Sequence, residues 1–115
     1  MIIDENSFHD SQILNVTENS SEQIIDFLLS FPTDWENSVF ENKILRFENV
    51  VLYHVEQIPF AGLPTILNIV NLGVVKKDFG SGKNEWKVSC NKIRIETNAG
   101  NRIIEFSDCS LINSK

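Results

Sequence analysis

The chain is poor in the side chains that do chemistry: 115 residues hold two histidines and two cysteines. Two cysteines cannot build a disulfide scaffold, and with so few histidines the four ligands of a zinc site cannot be assembled nearby. Five glycines leave no phosphate cradle. Gly80-Ser81-Gly82 lacks the third glycine and the strand-to-helix setting that such a cradle needs. Long hydrophobic runs are also missing. The longest, Ile66 to Val75, is broken by Asn68, Asn71 and Gly73, so no membrane span is expected. The start, Met1-Ile2-Ile3-Asp4-Glu5, is acidic where a signal peptide is basic, and a cytoplasmic address is the expectation. Basic residues are in deficit too. The net charge of −6 argues against nucleic acid or an anionic membrane as the main partner.

What is present is an ordinary globular composition, 42% hydrophobic and 10% aromatic, eight of the aromatics being phenylalanine. The length is near the commonest single-domain size, with no repeat and no linker-like run, so residues 1–115 are expected to form one domain. Its charge is unevenly placed. Residues 1–56 hold eleven acidic side chains against Lys43 and Arg46, a net of −9. Residues 57–115 hold five acidic against eight basic, a net of +3. Solvated charges scattered by chance are one reading; an acidic surface for a basic partner is the other.

Strand signals dominate the pattern. Gln12 to Val16 reads as a first strand. Ile24 to Phe31, closed by Pro32, reads as a strand in preference to a short helix. Lys43 to Val55 is rich in β-branched and aromatic residues and is interrupted at Glu48-Asn49 by a turn or a bulge. Pro59 to Pro64 is a loop. Beyond it, Thr65 could cap a short helix over Ile66, Leu67, Ile69, Val70 and Leu72, ended by Gly73; a buried strand is the rival reading. The fold class expected is mainly β, with α+β as the alternative: an antiparallel sandwich or partly open barrel carrying one or two short helices.

The last third gives the sharpest local expectation. Ile93 and Ile95 alternate with Arg94 and Glu96, and Ile104 and Phe106 flank Glu105, around a turn at Asn98-Ala99-Gly100-Asn101. With Ala99-Gly100 as the two-residue loop, Ile95 faces Ile104, Ile93 faces Phe106 and Arg94 faces Glu105. The same register sets Cys90 opposite Cys109, although their parity differs from that of the apolar pairs. In a cytoplasmic protein two buried thiols are expected there, and a bridge only in an oxidising place.

Catalysis is not expected. His9-Asp10-Ser11 holds the residue types of a nucleophilic triad, but a triad is drawn from separate elements, not from adjacent residues. His9 is read instead as packing near the first strand, with Asp10 or Ser11 accepting a backbone N–H to fix a turn. His54 and Glu56 share a face if they lie on a strand, yet nothing brings His9 to them, so no metal is expected. No carboxylate pair signals acid–base work, and no cofactor is implied. Lys76, Lys77, Lys83, Lys87 and Lys92 are too diluted to be a nucleic-acid patch and read as a solvated face. Trp35, in the acidic stretch Pro32-Thr33-Asp34-Trp35-Glu36-Asn37, is either an interface anchor or a core residue pinning a loop.

Three short segments carry a resemblance. Ser7-Phe8-His9-Asp10-Ser11-Gln12-Ile13-Leu14-Asn15-Val16 resembles the opening of a group of small bacterial immunity proteins of polymorphic and contact-dependent growth inhibition toxin systems. Ile44-Leu45-Arg46-Phe47-Glu48-Asn49-Val50 is similar to a strand of the same group, as is the closing hairpin around Gly100. Together they cover about a third of the chain, and Pro59 to Trp86 matches none of it. The resemblance implies a non-enzymatic protein that binds and neutralises a cognate toxin domain. Many such toxins are basic nucleases, which an acidic inhibitor suits. Asp34, Trp35, Glu36, Glu41 and Glu48 are then the partner-binding candidates, the carboxylates covering the toxin's active cleft. A generic interaction domain with some other partner is the alternative.

Overall fold

The computed structural model describes residues 1–34, 36–80, 82 and 86–114. A four-residue helix, α1 (Ile2–Glu5), precedes eight strands: β1 (Gln12–Asn19), β2 (Ile24–Asp34), β3 (Val39–Glu48), β4 (Leu52–Gln57), β5 (Ile66–Phe79), β6 (Trp86–Thr97), β7 (Gly100–Phe106) and β8 (Asp108–Asn113). The strands form two four-stranded antiparallel sheets, in the orders β1-β2-β3-β8 and β4-β7-β6-β5. The fold is a mainly-β sandwich with one short helix.

Alternation explains the first sheet. In β2, Ile25, Phe27, Leu29 and Phe31 are buried while Asp26, Leu28 and Ser30 between them are half-exposed, the period-2 pattern of a strand with one face in the core. On β3, Leu45 and Phe47 fill the same layer. Ile66, Ile93, Ile95, Ile104 and Phe106 answer from the second sheet, and Ile3 of α1 and Phe8 complete one cluster. Phe47 is its hub, edge-on to Phe27 at 5.7 Å and to Phe106 at 4.8 Å between ring centroids.

The chain changes sheets twice, at adjoining places. Asn49, with φ of +52°, turns it out of β3 toward β4, and Ser107 turns it from β7 into β8. Ser107 N–H donates to Glu48 O (3.1 Å) and Val51 N–H to Glu105 O (2.9 Å), so each crossing supports the other. The interruption at Glu48-Asn49 is therefore a turn between two strands of different sheets. At another corner, Ile13 N–H donates to Pro64 O and Ile66 N–H to Ser11 O, stitching β1 to the start of β5.

One reading left open is settled and two local expectations are corrected. Residues 66–72 are strand, not helix: β5 pairs with β6 along its length, and burying Ile66 completely against that neighbour outweighs a local cap at Thr65. Gly73 ends no helix. The register shifts between Asn71 and Gly73, and Asn71 Oδ1 accepts from the Gly73 N–H at 2.9 Å, a bulge that the φ of +93° suits.

The hairpin register is two residues off. Thr97 faces Gly100, so Asn98-Ala99 is the loop, Ile93 faces Ile104, Ile95 faces Arg102, Arg94 faces Ile103, and Lys92 faces Glu105. The β4–β5 connection folds over this turn. Ile58 N–H donates to Ala99 O, Thr65 N–H to Asn98 Oδ1, and Ala99 is buried. Gly100 is thereby drawn into β7 beside Gln57, so close to the Glu56 carbonyl that a Cβ would collide with it. A shift of two preserves the facing of every side chain, which is why the expected core residues remain in the core. Cys90 and Cys109 are not opposite: Cys90 faces Val75 in the second sheet and Cys109 faces Phe47 in the first, because the chain leaves the sheet at Ser107. Both are free thiols. Among the described residues no helix is long and apolar enough to cross a membrane.

Candidate interaction surface

The fold turns the charge imbalance along the chain into an imbalance between sheets. Residues 12–48 and 108–113, which supply the first sheet and its turns, carry eight acidic side chains against Lys43 and Arg46, a net of −6. The four strands of the second sheet carry four acidic against six basic, a net of +2. The cause is topological. Strands β1, β2 and β3 are consecutive in the acidic half of the chain and pair with one another, so their charges cannot disperse.

On the outer face of this sheet Arg46 is held by Asp26 through two parallel bonds, Nε to Oδ1 at 2.8 Å and Nη2 to Oδ2 at 2.9 Å. That bonding, with Glu48 and Glu22 adding their charges, raises the Arg46 pKa above its already high ordinary value. Asp108 faces Glu48 across the β3–β8 ladder. Arg46 thus stands among four carboxylates at this end, and the end stays negative.

The four described binding candidates are not gathered in one place. Asp34 closes β2 and Glu36 lies exposed in the β2–β3 turn. Glu41, exposed, follows on β3 opposite Phe31. Glu48 is at the other end of β3, seven residues and therefore ~23 Å away at about 3.3 Å per residue, on the opposite face of the strand from Glu41. Trp35 lies outside the described residues. Asp34 also shapes its own turn, where Asn37 donates to its carboxylate from its side chain (2.7 Å) and its backbone (3.2 Å). Those bonds lower the Asp34 pKa and keep it charged.

The histidines sit on separate elements. His9 Nδ1 is 2.8 Å from Leu67 O, and its Nε2 is 3.5 Å from Asp10. The turn beside it is closed by Ser11 N–H donating to Phe8 O, not by a side-chain acceptor, and Ser11 Oγ is buried with no hydrogen-bond partner among the described residues. His54 and Glu56 do share a face of β4, 3.6 Å apart and exposed. Among the described residues, no three His, Cys, Asp or Glu side chains come together as metal ligands. Burial pushes the Cys109 thiol up to about 12 and raises Cys90, whose neighbour Glu105 adds to the effect.

Two features escaped the sequence. One is a buried ion pair: Lys77 Nζ donates to Glu105 Oε1 at 2.8 Å, and Glu105 is 1% exposed. The alternation of β7 marks Glu105 as outward-facing, where it lies between Leu52 of β4 and Lys92 of β6 and is reached by Lys77 from β5, two strands away. The other is the exposure of large apolar side chains: Val39 and Phe40 at the start of β3, and, separately, Ile58, Phe60 and Leu63 in the β4–β5 loop. Phe40 shares a cleft of about 330 Å³ with Asp10, Gln12, Ser30 and Thr65. Comparison with protein-family models, with curated proteins and with solved structures finds no match to this chain.

Proposed function

We propose that the protein is an immunity-type inhibitor: it binds a cognate bacterial toxin domain in the cytoplasm, covers the toxin's active cleft, and performs no chemistry itself. The observation that carries the reading is the concentration of eight carboxylates on one sheet of a small sandwich and the turns of that sheet. A toxin acting on nucleic acid needs a basic cleft, and an acidic sheet competes for that cleft by mimicking the charge of its substrate. The resemblance of the Phe8-His9-Asp10-Ser11 opening to immunity proteins points the same way. Asp34, Glu36 and Glu41 serve one end of the acidic sheet, and Glu22, Asp26, Glu48 and Asp108 serve the other.

The test is the affinity for the product of the gene adjacent to this chain's own, measured by calorimetry at about 50 mM and about 500 mM NaCl. The association rate and affinity are expected to fall steeply at the higher salt. A complex indifferent to salt refutes the electrostatic mechanism, and the absence of any complex refutes the inhibitor reading.

A further inference from the structure

We infer that the outer face of the first sheet is the docking surface, and that it takes a protein surface carrying an apolar patch beside an arginine or lysine. Leu28, Ile44 and Ile112 meet the patch, and Glu48 and Asp108 hold the cation between them. The inference rests on the inhibitor reading for the identity of that partner.

The strand ladders place these side chains together. Leu28 of β2 faces Ile44 of β3, and Ile44 faces Ile112 of β8, so three branched apolar residues form one row across three strands. Directly opposed side chains lie about 5 Å apart. Phe27, Leu29 and Leu45, their neighbours along the chain, are buried in the core, which turns the row to the outside. Leu28 and Ile44 are half-buried and Ile112 is 37% exposed.

A solvated sheet face carries polar residues at such positions. The rows on either side obey that rule, with Asp26, Arg46 and Ser110 on one and Ser30 and Asn42 on the other. An apolar strip between polar flanks has the layout of an interface centre and its rim.

Charge selects the occupant. Two residues beyond Arg46 and Ser110, Glu48 and Asp108 face each other across the same ladder. Like charges directly opposite are unfavourable. Arg46, one row away, is already engaged by Asp26 through two bonds. Glu22, whose charge also acts on Arg46, stands at the same end. A guanidinium or ammonium group supplied by a partner relieves this repulsion, so the face favours a basic surface. A second copy of this chain does not suit it. The other end of the sheet carries Asp34, Glu36 and Glu41, so two copies stacked by a two-fold axis set carboxylates against carboxylates.

The experiment uses the full chain, an Ile44→Thr variant and a Glu48→Gln, Asp108→Asn double variant. Val74→Thr, 67% exposed on β5, is the control. The probe is the product of the gene adjacent to this chain's own. Ile44→Thr is expected to weaken binding about 10-fold, while the control binds as the parent does. The double variant is expected to lose about 10-fold at about 50 mM NaCl and less at about 500 mM. Urea unfolding separates binding from folding: with two opposed charges removed, the double variant is as stable as the parent or more so, yet binds worse. If the product binds and either variant keeps the parent's affinity, the docking surface is overturned and the inhibitor reading stands. If the parent does not bind the product, the inhibitor reading fails, and the surface is judged with a synthetic amphipathic lysine–leucine peptide. Peptide binding weakened in Ile44→Thr and in the double variant and kept in Val74→Thr supports the surface; any other pattern overturns it. Self-association in sedimentation that Ile44→Thr abolishes gives the face to a second copy and overturns it as well.

Discussion

Replacing Lys77 by methionine removes an ammonium group while keeping most of its stem. In the native protein that ammonium is 2.8 Å from Glu105 Oε1, and the second carboxylate oxygen, Oε2, is buried with no hydrogen-bond partner among the described residues. Without Lys77 the carboxylate would stay enclosed and lose its ion pair, with Lys92 as its cross-strand neighbour on β6. Breaking a fully buried pair from one side costs about 3–5 kcal/mol. Lys77 is itself 37% exposed, so water already screens part of the interaction, and a loss of about 2 kcal/mol is expected. For a chain of this length that lowers Tm by about 8 °C. Urea unfolding read by circular dichroism measures it, provided the slope of the transition is unchanged. The double variant Lys77→Met, Glu105→Leu should recover most of the loss, because it deletes the stranded charge along with its partner. A single variant less than about 0.5 kcal/mol destabilised, or a double variant worse than the single, would refute the claim that Glu105 depends on Lys77.

Gly100→Ala is expected to cost about 3 kcal/mol or more, since the new methyl would meet the Glu56 carbonyl and the φ of +111° suits glycine alone. A thermal unfolding scan checks this, and a Tm within about 2 °C of the parent would contradict it. Tyr53 is the one tyrosine in the chain, so its ionisation can be followed alone by absorbance. Burial raises its pKa, against the opposing pull of Arg102, whose Nη1 donates to the phenol oxygen at 2.8 Å. The native protein therefore holds the phenolic proton more tightly than the unfolded chain. The stabilisation is full below about pH 10 and fades as pH rises through the folded pKa; titration at or below the free-tyrosine value would contradict it.

Alternation made β1, β2 and the β6–β7 hairpin legible, because a strand with one buried face must repeat every second residue. Ile66 to Leu72 resisted that reading. Both of its faces carry apolar groups, so no period separates strand from helix until β6 is seen beside it. The candidate carboxylates could be named from the sequence, but their grouping could not. Near neighbours such as Asp34 and Glu36 stay together in any fold, whereas Glu48 is carried ~23 Å from Glu41 by the extension of β3.

Composition and period determined that this chain is a β protein, that Ile93, Ile95, Ile104 and Phe106 of the hairpin share one apolar face, and that most of its acidic side chains lie within the first half of the chain. Those are properties of neighbours along the backbone, set by steric preference and the alternation of side chains. Tertiary structure decided the rest. The loop over Asn98 and Ala99 ties down the hairpin turn, the turn at Ser107 sent Cys109 to the opposite sheet from Cys90, and β5 brought Lys77 to Glu105. Each depends on contacts between segments far apart in the chain, whose energies arise only when the two sheets have packed.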